Sequence, residues 1–191
     1  MLQAQRTEPD TIGLLELSSI ATGYEVEDAM LKAANVELLV ARTICSGKYL
    51  VIVAGDTAAC TASVEAGEEL ASDALVEARV IPRVHPQIFP AISGAVALDP
   101  EKVDALGIVE TFSASSIIDC ADAAAKAADV SLFRVHLAMA IGGKGFFLVT
   151  GTVAAVEAAV SAGEEIARES GILVDRRVIP RPRKALFREY I

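Results

Sequence analysis

GLLELSSIATGYEVEDAMLKAANVELLV, residues 13–40, returns as GIVETFSASSIIDCADAAAKAADVSLFR at residues 107–134. The echo continues downstream. SGKYLVIVAGDTAACTASVEAGEELA, residues 46–71, is matched by GGKGFFLVTGTVAAVEAAVSAGEEIA at 142–167, and LVEARVIPR at 75–83 by LVDRRVIPR at 173–181. Alanine-rich helices resemble one another by chance, but the matched glycines, prolines and charges do not. Glu16 pairs with Glu110, Lys32 with Lys126, Gly47-Lys48 with Gly143-Lys144, and Ile81-Pro82-Arg83 with Ile179-Pro180-Arg181. Self-similarity that keeps the same order along both halves is the mark of a duplicated structural unit.

Each copy carries one pattern of elements. In the first, a short strand over Ile12–Leu17 leads to a helix over Glu25–Ala34, where Val26, Ala29, Met30 and Ala33 recur at helical spacing. A strand at Glu37–Ile44, a tight turn at Cys45-Ser46-Gly47 and a strand at Tyr49–Ala54 follow. Asp56 or Thr57 can cap a second helix running to about Ser72. The last strand, Leu75–Ile81, stops at Pro82, which cannot donate to a sheet ladder. The order βαββαβ specifies an α+β fold of the ferredoxin-like kind, an antiparallel sheet with both helices on one face. Residues 86–102, with three prolines, read as a linker containing a short helical turn, and residues 1–10 as a mobile tail. The runs YLVIV and FFLV barely alternate, which predicts strands buried on both faces. Either the halves pack together or copies of the chain assemble, and assembly is the expectation.

Composition narrows the function. With 53% apolar and 23% charged residues, the 191-residue chain can build a substantial core. No apolar run approaches the roughly 20 residues needed to cross a membrane. The start, MLQAQRTEPD, lacks the apolar core of a secretion signal. Three widely spaced cysteines suit a reducing cytoplasm better than a disulfide framework. A net charge of −9 is the wrong sign for a nucleic-acid partner.

Catalysis finds no candidate. Glu16, Glu110, Glu68, Glu69, Glu164 and Glu165 have no nucleophile beside them in sequence. The Gly-Lys pairs fail as phosphate loops: that pattern needs a glycine five residues earlier and Ser or Thr after the lysine. The first copy has Arg42 and Tyr49 there, and the second Ala138 and Gly145. Gly47 and Gly143 fit tight hairpins instead. His85 and His136 lack partners at ligand spacing, and Cys60 and Cys120 fall within apolar helices as packing residues. Lys32 and Lys126 end the first helix of each copy, where a cation complements the helix dipole. Cys45 stands alone at a turn. Most free cysteines are small buried hydrophobes, yet a turn between strands also presents its side chains.

The repeated residues also carry a resemblance. Glu-Leu-Ser after the first strand, Lys-Ala-Ala at the helix end, Gly-Lys after the turn and Ile-Pro-Arg closing the last strand are together similar to the bacterial microcompartment (BMC) shell domain. Two such domains in one chain resemble the tandem-domain shell proteins, with a first BMC domain over 11–92, a linker over 93–105 and a second over 106–191. The turn TICSGK (43–48) and the closing IPRPRKALFR (179–188) resemble the T-type shell proteins of propanediol-utilisation compartments most closely. The resemblance implies a homotrimer shaped as a pseudohexameric tile in a cytoplasmic shell. Neighbouring hexameric or trimeric shell proteins would be its partners, with an encapsulated redox enzyme as a further one, and neither nucleic acid nor membrane. It places Thr43, Ile44, Cys45, Ser46, Gly47, Ile141, Gly142 and Gly143 around a central pore, and Lys32, Arg83, Lys126 and Arg181 at tile edges. It also implies an iron–sulfur cluster of the [4Fe–4S] type, one per trimer, held by Cys45 of three chains. Thiolates converging on a symmetry axis are soft ligands suited to such a cluster. The second copy has Ala140-Ile141-Gly142-Gly143 at the equivalent turn and no cysteine. Two other functions stay open: a cluster-free tile whose pore conducts a metabolite, and a small-ligand-binding regulatory trimer.

Overall fold

A computed structural model describes residues 8–188. Of the expected tail 1–10, residues 1–7 lie outside the described residues. The described residues form two compact units, one of residues 8–43 and Gly47–Val84, the other of Ile44–Ser46 and residues 85–188.

The first unit runs β1 (Thr11–Leu17), α1 (Ile20–Ala33), β2 (Glu37–Ile44), β3 (Lys48–Gly55), α2 (Thr57–Ala71) and β4 (Leu75–Ile81). Its strands lie in the order β2-β3-β1-β4, with β1 antiparallel to both β3 and β4. That is the split βαββαβ sheet read from the sequence. Leu15 and Leu17 of β1 and Tyr49, Val51 and Val53 of β3 meet Val26 and Met30 of α1 and Val64 and Ala71 of α2 in one buried cluster. Both helices therefore cover the same face. Asp56 is the cap of α2, its carboxylate accepting from the Ala59 N–H at 2.8 Å.

The first helix begins five residues before the expected Glu25 and ends at Ala33. Gly23 lies within this extra turn, although glycine in a helix interior costs about 0.5–1 kcal/mol relative to alanine. The structure gives the reason for it. A Cβ on Gly23 would lie 2.5 Å from the Tyr49 ring, so only glycine lets this turn of helix close on that tyrosine. The start is set by Ser19, whose hydroxyl accepts from the Thr22 N–H at 3.3 Å. The matched serine of the second copy does the same: Ser113 Oγ accepts from the Ser116 N–H at 3.2 Å.

The second unit holds α3 (Ile88–Ser93), β5 (Ala105–Thr111), α4 (Ser116–Ala127), β6 (Ser131–Leu137), β7 (Gly145–Gly151), α5 (Val153–Glu169) and β8 (Leu173–Pro180). Its sheet repeats the first topology, β6-β7-β5-β8. The duplicated Gly-Glu-Glu motif finds a packing role here. A Cβ on Gly67 would come 2.9 Å from Met30 Cγ, and one on Gly163 would come 2.8 Å from Phe147 Cζ, so each glycine admits close helix packing.

The stretch read as a linker does more than connect. Val96, Leu98 and Val103 pack with Leu106, Ile108, Phe133, Phe146 and Leu148, and Phe187 of the closing 3-10 turn Lys184–Phe187 completes this second cluster. Leu106, Ile108, Phe146 and Leu148 belong to the sheet face turned away from α4 and α5, because strand side chains alternate. In this unit the cover expected from assembly is supplied by the unit's own connecting and closing segments. Gln87 pins the connection to β6: its Nε2 donates to the Val130 carbonyl at 3.0 Å and its Oε1 accepts from the Leu132 N–H at 2.6 Å.

Candidate functional site

The β2–β3 hairpin presents Cys45. Ile44 is buried at the end of β2, Cys45 is half-buried, and Thr43, Ser46 and Gly47 are exposed. Gly47 turns the chain at φ 78°, in the left-handed region that glycine enters freely, and the Cys45–Ser46 peptide bond is cis. The thiol is thus on a loop and outside both apolar clusters, unlike Cys60 and Cys120, which are fully buried.

Cys45 sits against the matched turn of the second copy, within the second unit. The turn between β6 and β7 has Ala138 at φ 54°, Ala140 at 63°, Gly142 at 68° and Gly143 at 86°. Backbone N–H groups of Gly142 and Ala140, and more weakly Ile141 and Gly143, bond the Cys45 sulfur and hold its pKa below the usual thiol value against the opposing effect of burial. The shift is in the direction of the thiolate, the form that ligates metals. Cys60 is the contrast: burial pushes its thiol up to about 11, and its Sγ lies 3.4 Å from the Thr11 carbonyl. Among the described residues, no three His, Cys, Asp or Glu side chains of one chain converge as a metal site.

Two residues set aside as catalytic and phosphate-binding candidates join each other instead. Lys48 Nζ bonds Glu16 Oε1, and in the second copy Lys144 Nζ bonds Glu110 Oε1 at 2.9 Å. Glu16 faces Leu50 across β1 and β3, so Lys48, two residues away on β3, shares its face diagonally. The signal was present in sequence as a Glu and a Lys duplicated together. Each ion pair fixes the base of a hairpin, placing the Cys45 turn in one copy and the Ala140–Gly143 turn in the other.

The expected edge residues fall in the first helix of each copy and just after its last strand. Lys32 and Lys126 are exposed, each paired with an aspartate one helical turn earlier: Lys32 to Asp28 at 2.5 Å and Lys126 to Asp122 at 2.6 Å. Asp122 also accepts from the His85 N–H at 2.7 Å. Arg83 and Arg181 follow their prolines at φ 55° and 47°, so the duplicated Ile-Pro-Arg motif encodes the same left-handed turn twice. His136 does find partners, with its ring stacked on Phe146 at 4.9 Å between centroids and its Nε2 2.8 Å from the Met139 carbonyl.

These features coincide with those of known proteins. The profile of a family described as "BMC domain" matches residues 11–84 and again 105–182. The chain is 49% identical to the bacterial microcompartment shell protein PduT of Citrobacter freundii over 94% of its own length and 97% of the relative's. It is 42% identical to the shell protein EutM of Salmonella typhimurium, covering 42% of this chain and 81% of that one. A crystal structure of a microcompartment protein from Desulfitobacterium hafniense superposes with a TM-score of 0.90 at 49% identity, over 93% of this chain and 98% of that one. The duplicated split sheets, the matched turns and these likenesses together place the chain in the BMC-domain family, as a tandem-domain bacterial microcompartment shell protein.

Proposed function

We propose that the protein is a trimeric, pseudohexameric shell tile that holds one iron–sulfur cluster on its threefold axis through Cys45 of three chains. The observation that carries this reading is the presentation of Cys45: a single half-buried thiol on a hairpin turn outside both apolar clusters, with its pKa lowered by neighbouring backbone N–H groups. One chain offers one such ligand, so a cluster there requires further copies. Threefold symmetry brings together three equivalent thiolates, leaving one iron of a [4Fe–4S] cluster for a small ligand. When bound, the cluster would supply one-electron transfer, or be passed on whole, across the shell. Cys45 would ligate, the Ala140–Gly143 turn would donate hydrogen bonds to the sulfur, and the Glu16–Lys48 and Glu110–Lys144 pairs would hold both hairpins in register. Thr43, Ile44, Ser46, Gly47, Ile141, Gly142 and Gly143 would line the passage around the cluster.

The role is architectural rather than enzymatic. Lys32, Arg83, Lys126 and Arg181 would form tile edges against neighbouring shell proteins, and an encapsulated redox enzyme would exchange electrons with the cluster. No helix among the described residues is long and apolar enough to cross a membrane. Two measurements test the reading together. Sedimentation at micromolar concentration should give a particle about three times the 20.0 kDa chain, and anaerobically purified protein should absorb broadly near 400 nm, as iron–sulfur proteins do. A colourless trimer would leave a plain tile with an open pore, and a stable monomer would remove the tile.

A further inference from the structure

One face of the duplicated unit is closed in the second copy and open in the first. In the second unit α3 lies against α4 and β6. The His85 N–H donates to the Asp122 carboxylate of α4 at 2.7 Å, Gln87 bonds the backbone of Val130 and Leu132, and Ile88, Ala91 and Ile92 are buried. The surface around them is covered: Ile118 and Leu132 are buried, and the Asp122 side chain is only 15% exposed. In the first copy the matched residues are Tyr24, Leu38 and Asp28. Tyr24 is 63% exposed, Leu38 is exposed, and the Asp28 side chain is 63% exposed. Ile20 and Leu31 extend the open patch along the same stripe of α1, where the second copy has the buried Ala114 and Ala125. Single exposed apolar residues are ordinary, but a patch built from one helix stripe and the edge strand β2 marks an interaction surface.

The same duplication names the occupant. The cover of the second copy is the stretch that follows β4, and the chain carries a match to it after β8. Ile81-Pro82-Arg83 leads to Ile88-Phe89, and Ile179-Pro180-Arg181 leads to Leu186-Phe187 at the same spacing. Arg83 and Arg181 open both stretches in the left-handed region. Ile88 is fully buried, whereas Leu186 is exposed, beside a Phe187 anchored in its own unit. We propose that Leu186 and the closing stretch of one chain dock on the α1–β2 face of a second copy, as α3 docks on α4 and β6. Charge supports this choice of partner. Residues 181–188 hold Arg181, Arg183, Lys184 and Arg188 and no acid, whereas residues 20–38 hold Glu25, Glu27, Asp28 and Glu37 against Lys32 alone. Lys184 is engaged by Glu101 of its own unit, so the arginines carry the complementarity. Arg183 matches His85, which assigns its N–H to Asp28 of the second copy as the His85 N–H is assigned to Asp122. A contact between two different surfaces is heterologous and repeats from chain to chain until a ring closes. The contact therefore rests on the trimer proposed above and names the surfaces that join it. It does not depend on iron.

The test uses the full chain. A benzophenone amino acid in place of Leu186, activated by light, should join one chain to another on a denaturing gel. Digestion should place the adduct on the α1–β2 peptides that hold Tyr24, Leu31 or Leu38. Leu186→Asp measures the strength of the contact. The side chain is exposed within its own chain, so the variant should keep its far-UV circular dichroism. The concentration at which half the chains are trimeric, read by sedimentation, should nevertheless rise about tenfold or more. Tyr24→Asp removes the other side of the contact and should do the same. In a wild type that sediments as a trimer, adducts within single chains, adducts outside α1 and β2, or none at all overturn the contact and leave the tile standing. Trimers of unchanged strength in both Leu186→Asp and Tyr24→Asp also overturn it. A wild type that stays monomeric overturns the contact and the tile together. A colourless trimer with the α1–β2 adduct supports the contact and counts only against the cluster.

Discussion

Gly23 shows how one position can carry two opposed demands. Helix propensity favours alanine there by about 0.5–1 kcal/mol, yet a Cβ would press to 2.5 Å from the Tyr49 ring. Overpacking of this kind costs about 1–3 kcal/mol, so Gly23→Ala should lower the unfolding free energy by a net ~1 kcal/mol, seen as a lower urea midpoint. A rise in the midpoint would show that the ring moves aside freely. Cys60 gives a pH test. Its thiol, raised by burial to about 11 from an ordinary 9.0, stays protonated in the fold at pH values where the unfolded chain has ionised. That contribution is complete below pH 9 and is lost as pH rises through 11. The stability difference between wild type and Cys60→Ala should therefore narrow across that window and be flat below it, as urea unfolding at pH 7, 9 and 11 will reveal. At this scale the sequence was legible wherever a residue's role is local: Asp56 as a cap, Gly47 in a turn, Cys60 and Cys120 as packing. It was silent on Gly23, and on Glu16 with Lys48, because their partners lie 26 and 32 positions away along the chain, and only the sheet register brings them together.

Among elements, the strands and their order were readable because apolar runs, prolines and duplicated turns agree with one another. The segment 86–102 was not. Its prolines signal irregular backbone, and they hide an amphipathic logic in which Ile88, Ala91 and Ile92 are buried on α3 while Val96, Leu98 and Val103 cover a sheet face. Phe187 belongs to the same cover, 1% exposed and packed edge-on against Phe133 at 6.3 Å. Phe187→Ala should cost about 3–5 kcal/mol, with faster amide exchange in β5 and β7. If exchange in those strands is unchanged, the closing turn is not part of that core. The helix-end lysines behave differently. Exposed i,i+4 pairs contribute about 0.3–0.5 kcal/mol each, so replacing both Lys32 and Lys126 by alanine should scarcely change the unfolding midpoint. Assembly of trimers into sheets at low salt should nevertheless weaken, as negative-stain microscopy would record. Sheets of undiminished extent would remove these lysines from the tile edge.

For the whole molecule, duplication is the governing fact. Two split sheets with the same register make up the tandem fold, and the copies diverge at one turn, which carries Cys45 in the first and Ile141 in the second. The family was legible because Gly-Lys, Gly-Glu-Glu and Ile-Pro-Arg all recur at matched places, each fixing a turn, a helix crossing or a left-handed residue. What the sequence concealed is that the cysteine-free turn lies beside Cys45, since nothing in either turn names its neighbour. The central claim, that Cys45 is one third of a metal site, is tested most directly by iron and acid-labile sulfide analysis of anaerobically reconstituted wild type and Cys45→Ser, compared at equal trimer content. The account predicts about four irons and four sulfides per three wild-type chains, and close to none in Cys45→Ser, with sedimentation unchanged because the thiol sits on a loop. Equal iron in the two proteins would contradict it.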